Sequence, residues 1–95
     1  MLFVIDNLKY DTDKMELVSE KCMYTYPDGL FGNSIIHYGK EVKLWRSTHN
    51  RWLLTYTKGL STTYAITLTE KEAKNILIQY DIIKYEELFG ELEEA

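Results

Sequence analysis

Residues 63–80, TYAITLTEKEAKNILIQY, change their periodicity midway, and that change decides the fold. Thr63–Leu68 is rich in β-branched and aromatic residues and reads as a strand. Thr69-Glu70-Lys71-Glu72 then matches a capping box, in which a Thr hydroxyl and a Glu carboxylate satisfy free backbone N–H groups at a helix start. Ala73, Ile76, Leu77 and Tyr80 follow at i, i+3, i+4 and i+7, the stripe of an amphipathic helix. Asp81 caps a second short helix through Phe89, with Ile82, Tyr85 and Phe89 (or Leu88) inward and Gly90 as its stop.

Upstream, the pattern is that of strands. Gly59 to Thr62 is a turn. In Arg51–Thr57, Trp52, Leu54 and Tyr56 share one face and Leu53 and Thr55 the other. In Glu41–Arg46, Val42 and Leu44 oppose Glu41, Lys43 and Trp45, and Ser47-Thr48-His49-Asn50 is a polar loop of hairpin length. Together these strands form an antiparallel meander. At the start of the chain, Leu2–Ile5 and Leu8–Tyr10 pair around Asp6-Asn7, two residues that tolerate positive φ. Asp11-Thr12-Asp13 caps a helical turn around Lys14–Leu17. Val18–Tyr26 reads as one strand and Pro27-Asp28-Gly29 as a turn. The stretch to Gly39 then reads as a connection with a brief strand at Ser34–Tyr38. Strands followed by helices predict an α+β fold, an antiparallel sheet of about five to six strands with one or two C-terminal helices on one face.

A chain of 95 residues fits a single domain, β-rich over 1–68, helical over 69–90, with an acidic tail at 91–95. Apolar residues make up 45% and charged residues 27%, the balance of a soluble globular protein. The longest apolar run, Met1 to Ile5, falls far short of the roughly 20 residues a membrane helix needs. The opening residues do not show the basic, apolar and small-residue pattern of a secretory leader, and a lone cysteine fits a reduced setting, so a cytoplasmic location is expected.

Signatures of catalysis are missing. The sequence has no Gly-rich phosphate loop, no G-x-S-x-G elbow and no H-E-x-x-H. Cys22, His37 and His49 lack the close spacing of a zinc site, so neither metal nor cofactor is expected. Asp11-Thr12-Asp13 opens like a calcium loop, but Met15 occupies the third ligand position and the required glycine is absent. Glu86 and Glu87 are adjacent on a helix and point about 100° apart, so they do not converge as a catalytic pair. A non-enzyme is expected.

The formal charge of −4 hides a segregation. Residues 40–58 carry Lys40, Lys43, Arg46, Arg51 and Lys58 against Glu41 alone, whereas residues 81–95 carry six acids against Lys84. Cations interleaved with aromatics suit single-stranded nucleic acid, because bases stack on rings while phosphates meet cations. One reading is therefore a nucleic-acid-binding module built on Lys43, Trp45, Arg46, Arg51 and Trp52; a solvated basic rim around a sheet core is the blander account. Glu86, Glu87, Glu91, Glu93 and Glu94 read either as a solvated terminus or as a protein-binding surface whose carboxylates imitate phosphates. Self-association through an open strand edge is a further option, leaving monomer and homodimer both open.

Three motifs carry a resemblance: Lys9-Tyr10-Asp11-Thr12-Asp13, Leu68-Thr69-Glu70-Lys71-Glu72-Ala73-Lys74 and Tyr85-Glu86-Glu87-Leu88-Phe89-Gly90. With the aromatic strands between them, the chain resembles short, mostly uncharacterised proteins of Gram-positive bacteria, their phages and other mobile elements. It departs from that group in the middle, where Leu44-Trp45-Arg46 and Trp52-Leu53-Leu54 replace a Tyr/Gly-rich hairpin. The resemblance implies no catalytic residue. It implies genomic company in which small acidic proteins inhibit host defences, including CRISPR effectors. The expectation is a non-enzymatic interaction protein, an inhibitor of a defence nuclease complex, with a nucleic-acid-binding effector as its partner.

Overall fold

A computed structural model describes residues 1–30 and 33–95. The order is β1 (Leu2–Ile5), β2 (Leu8–Asp11), a 3₁₀ turn (Thr12–Lys14), β3 (Glu16–Ser19), β4 (Thr25–Leu30), β5 (Asn33–Tyr38), β6 (Lys40–Arg46), β7 (Trp52–Lys58), β8 (Thr62–Leu68), α1 (Glu70–Tyr80) and α2 (Ile82–Phe89). All strand pairs are antiparallel, and the chain is α+β. The described residues hold eight strands, more than expected, in a four-stranded sheet ordered β3-β6-β7-β8 and two two-stranded ribbons, β1-β2 and β4-β5.

The centre is β7. Trp52, Leu54 and Tyr56 face α1 and α2 and join Val18, Val42, Leu44, Ala73 and Leu77 in one core. Leu53 and Thr55 alternate to the opposite face, yet Leu53 is 0% exposed and Thr55 5%. That face lies under the β1-β2 hairpin, whose Tyr10 is itself buried. Met1, Phe3 and Thr12 line a cleft there with Trp45, Thr55 and Thr57. The sheet is thus covered on both sides, by helices on one and by a hairpin on the other.

Local chemistry explains the boundaries. Asp6 and Asn7 take φ values of 51° and 64°, which lets two residues reverse the chain between β1 and β2. The Asp11 side chain accepts from the Asp13 N–H and caps the 3₁₀ turn, which begins and ends earlier than the predicted turn at Lys14–Leu17. The capping box at α1 is complete. Thr69 Oγ1 accepts from the Glu72 N–H at 3.1 Å, and Glu72 Oε1 accepts from the Thr69 N–H at 3.0 Å. Asp81 caps α2 by accepting from the Lys84 N–H, and Gly90 ends it at φ 96°.

Two expectations between Val18 and Gly39 are corrected. The strand expected over Val18–Tyr26 breaks after Ser19, because Ser19 Oγ accepts the Lys21 N–H and folds the chain inward to bury Cys22. Pro27-Asp28-Gly29 is not a turn but lies within β4, where Pro27 pairs with Ile36. A two-stranded ribbon leaves an open edge on each strand, so a residue without an N–H is tolerated there.

The β4-β5 ribbon is an excursion between β3 and β6, two strands that pair with each other. A radius of gyration of 14.6 Å, against about 12 Å for a compact chain of this length, fits a ribbon standing off the main sheet. Its base is held by tyrosines. Tyr24 and Tyr26 place their rings 4.6 and 5.6 Å from that of Tyr56, and Tyr64 stacks on Tyr56 at 5.8 Å. Lys58 Nζ lies 4.5 Å from the Tyr26 ring and 5.3 Å from Tyr64, a cation over two rings. No helix among the described residues is long and apolar enough to cross a membrane.

Candidate functional site

The acidic end is built from α2 and the tail that follows it. Phe89 anchors the end of the helix, its ring 6.1 Å from Trp52 and 5.2 Å from Tyr85, with Lys74 Nζ 4.8 Å above it. Gly90 then turns the chain at a φ suited to glycine, and the Leu92 N–H donates to Glu86 Oε2 at 3.0 Å. Glu86 is half-buried and spends one oxygen on holding the tail. Glu87 is exposed and meets Lys84 Nζ at 3.1 Å, one helical turn back. Glu91, Glu93 and Glu94 are exposed.

The five glutamates are therefore not equivalent. Glu86 fixes the exit of the tail, Glu87 is partly neutralised, and the remaining three face solvent. Among the described residues no ion pair joins them to the basic hairpin, although the two regions adjoin. Trp52, which carries Phe89 on one side, lies 5.6 Å from the Arg46 guanidinium. Arg46 also donates to Glu16 Oε1 of β3 at 2.8 Å, so its charge is met within the sheet.

The basic, Trp-bearing hairpin is divided between two faces. Trp52 is 2% exposed, inside the helix-side core, and Arg46 lies on that same side. Trp45 lies on the opposite face, half-buried, with its Nε1–H donating to Thr55 Oγ1 at 2.9 Å. Lys43 shares the face of Trp45, and Arg51 is exposed at the start of β7. The structure thus does not gather Lys43, Trp45, Arg46, Arg51 and Trp52 on one surface, and the Trp52 ring has no free face for a base. Alternation already sets Trp52 with Leu54 and Tyr56, and Trp45 opposite Val42 and Leu44, but it does not say which face of the hairpin is buried.

The remaining chemistry-bearing residues have structural surroundings. Cys22 is buried, and burial pushes its thiol up from the ordinary value, outweighing the downward effect of its hydrogen bond with Ser19. The polar loop at Ser47–Asn50 holds His49 through its own backbone, because Ser47 Oγ accepts the His49 and Arg51 N–H groups. His37 stacks on Tyr26 at 5.6 Å. Burial also raises the Tyr56 hydroxyl, with the neighbouring tyrosines adding to it. No cluster of metal-ligating side chains exists among the described residues.

Sequence reasoning passed over the tyrosine–lysine base of the ribbon. The same-face pair Tyr24 and Tyr26 was its only local signal. The meander reads with an open strand edge, but the sequence leaves open which strand forms that edge; it is β8. No protein-family model, curated protein or solved structure matches the chain.

Proposed function

We propose that the chain is a small protein-interaction module, without catalytic machinery of its own, of the kind carried by bacterial mobile elements. Its acidic C-terminal end engages a cationic, nucleic-acid-binding surface on a host defence nuclease complex. The observation that supports this reading is the anchored tail. Glu86 and Gly90 fix where it leaves α2, so Glu91, Glu93 and Glu94 are offered from a defined point rather than from a freely frayed end. Carboxylates presented this way compete with phosphates for Lys and Arg, and charge complementarity speeds encounter as well as selecting the partner.

The test is a pull-down from host lysate with the full chain and with E91K/E93K/E94K, whose positions are exposed and leave the core untouched. Capture of a nucleic-acid-binding complex that weakens in the variant, falls with salt and is competed by single-stranded DNA is the expected result. Equal capture by the variant would overturn the role of the tail.

A further inference from the structure

The outer strand of the main sheet has none of the features that keep edges apart. Exposed edges carry unpaired N–H and C=O groups, and natural proteins blunt them with charges, prolines, bulges or short length. The other edge of the same sheet follows that rule. β3 is four residues long, begins with Glu16 and has a register shift between Leu17 and Ser19. β4 of the ribbon carries Pro27. By contrast β8, Thr62–Leu68, is seven residues long and holds no charge and no proline. It pairs with β7 in unbroken register from Trp52↔Leu68 to Lys58↔Thr62, and β7 is its single strand partner among the described residues. None of its residues is buried, although the β7 residues beside them mostly are.

The order of residues in β8 says what fits this edge. Reversed about Ala65, the strand sets Tyr64 against Ile66, Thr63 against Thr67 and Thr62 against Leu68. These are an aromatic–β-branched pair and a threonine pair, both favourable across strands, and no like charges meet. The alternation is also preserved. Tyr64 and Ile66 lie on the helix side, opposite Tyr56 and Leu54, while Thr63, Ala65 and Thr67 lie on the hairpin side. A two-fold axis through Ala65 therefore superposes like faces, as an isologous dimer requires.

We infer that β8 is a dimerisation edge that pairs antiparallel with β8 of a second copy about Ala65, joining two four-stranded sheets into one of eight strands. This surface is separate from the acidic tail, and its test does not depend on the tail's partner.

Sedimentation equilibrium of the full chain should show a concentration-dependent monomer–dimer equilibrium. T63K/T67K places lysine against lysine twice across the axis and should give a monomer with an unchanged circular dichroism spectrum. T63E/T67E should do the same. Mixing the two variants should restore a dimer, seen by native mass spectrometry as the mixed species, because each Lys then meets a Glu. A wild-type chain that stays monomeric at its solubility limit would overturn the inference, as would a dimer that survives T63K/T67K. Should the variants fail to fold, amide exchange on the wild-type chain decides. Protection within residues 62–68 that rises with protein concentration supports the pairing, and protection independent of concentration refutes it.

Discussion

The Ser19 hydroxyl donates a 2.6 Å hydrogen bond to Asp81 Oδ2 across 62 residues of sequence. It ties the end of β3 to the junction of α1 and α2, while Asp81 Oδ1 accepts the Lys84 N–H and starts α2. One carboxylate thus joins the edge of the sheet to the helical layer. Asp81→Ala removes both bonds and leaves a buried hydroxyl short of a partner, at a cost of about 2 to 3 kcal/mol. Asp81→Asn still caps α2 and should recover most of that. Urea unfolding of the two variants checks it.

Glu72 gives α1 a dependence on pH. The Thr69 backbone N–H, and then its hydroxyl, hold the Glu72 carboxyl below the usual 4.5. A lowered native value means the stabilisation is fully present above the unfolded value and is lost as pH falls through the native one. Glu72→Gln preserves the shape of the capping box without the charge. The thermal midpoint of the wild type should exceed that of the variant at pH 7, and the gap should narrow as pH falls below the usual 4.5 and close as it passes through the lowered native value.

Gly39 sits against the ring that docks the ribbon. A Cβ built there would lie 3.0 Å from Tyr56 Cβ and 3.1 Å from its Cδ2. Gly39→Ala therefore pushes on the Tyr24–Tyr56–Tyr26 stack and should cost roughly 1 to 3 kcal/mol, in the range of overpacking. Denaturant titration followed by tyrosine fluorescence or near-ultraviolet circular dichroism reads it.

Gly90 combines φ 96° with ψ 163°, a region essentially reserved for glycine. Gly90→Ala should cost about 1 to 3 kcal/mol of strain, or release the tail from Glu86. Faster amide exchange at Leu92 than in the wild type is the expected sign. Unchanged exchange and unchanged stability together would contradict the role given to this turn.

Burial of Cys22 and its raised thiol value predict a slow reaction with a disulfide reagent at neutral pH. The rate should rise with urea in step with unfolding. Reaction of the native chain at the rate of a free thiol would show that the segment between β3 and β4 opens without global unfolding.

Much of the fold was legible because its signals were local. Asp6-Asn7, Thr69 with Glu72, Asp81 and Gly90 each act within a few residues, and each does what its chemistry implies. The meander β6-β7-β8 was legible for the same reason. What stayed hidden depended on distant partners. Ser19 breaks its strand through a turn bond and reaches Asp81 far along the chain. Pro27 carries a turn signature but lies in a ribbon with open edges. The alternation set Leu53 and Thr55 opposite Trp52, Leu54 and Tyr56, and nothing nearby showed that the N-terminal hairpin would cover Leu53. For the candidate surfaces, the charge segregation was visible in sequence, whereas the sorting of Trp45 and Trp52 to opposite faces required the structure.

The placement of the β4-β5 ribbon has an evolutionary consequence. Because β3 and β6 pair with each other across it, the segment between them can change length without shifting the register of the main sheet. Loop closure makes such changes inexpensive, at about 0.6 kcal/mol for each doubling of length. Cys22, Tyr24 and Tyr26 are tied into the core, so relatives of this chain should differ most in the outer part of the ribbon, between Pro27 and His37, gaining and losing residues there in pairs. A chimaera that exchanges this segment for a shorter hairpin should keep the Ser19–Asp81 bond and the helical layer intact.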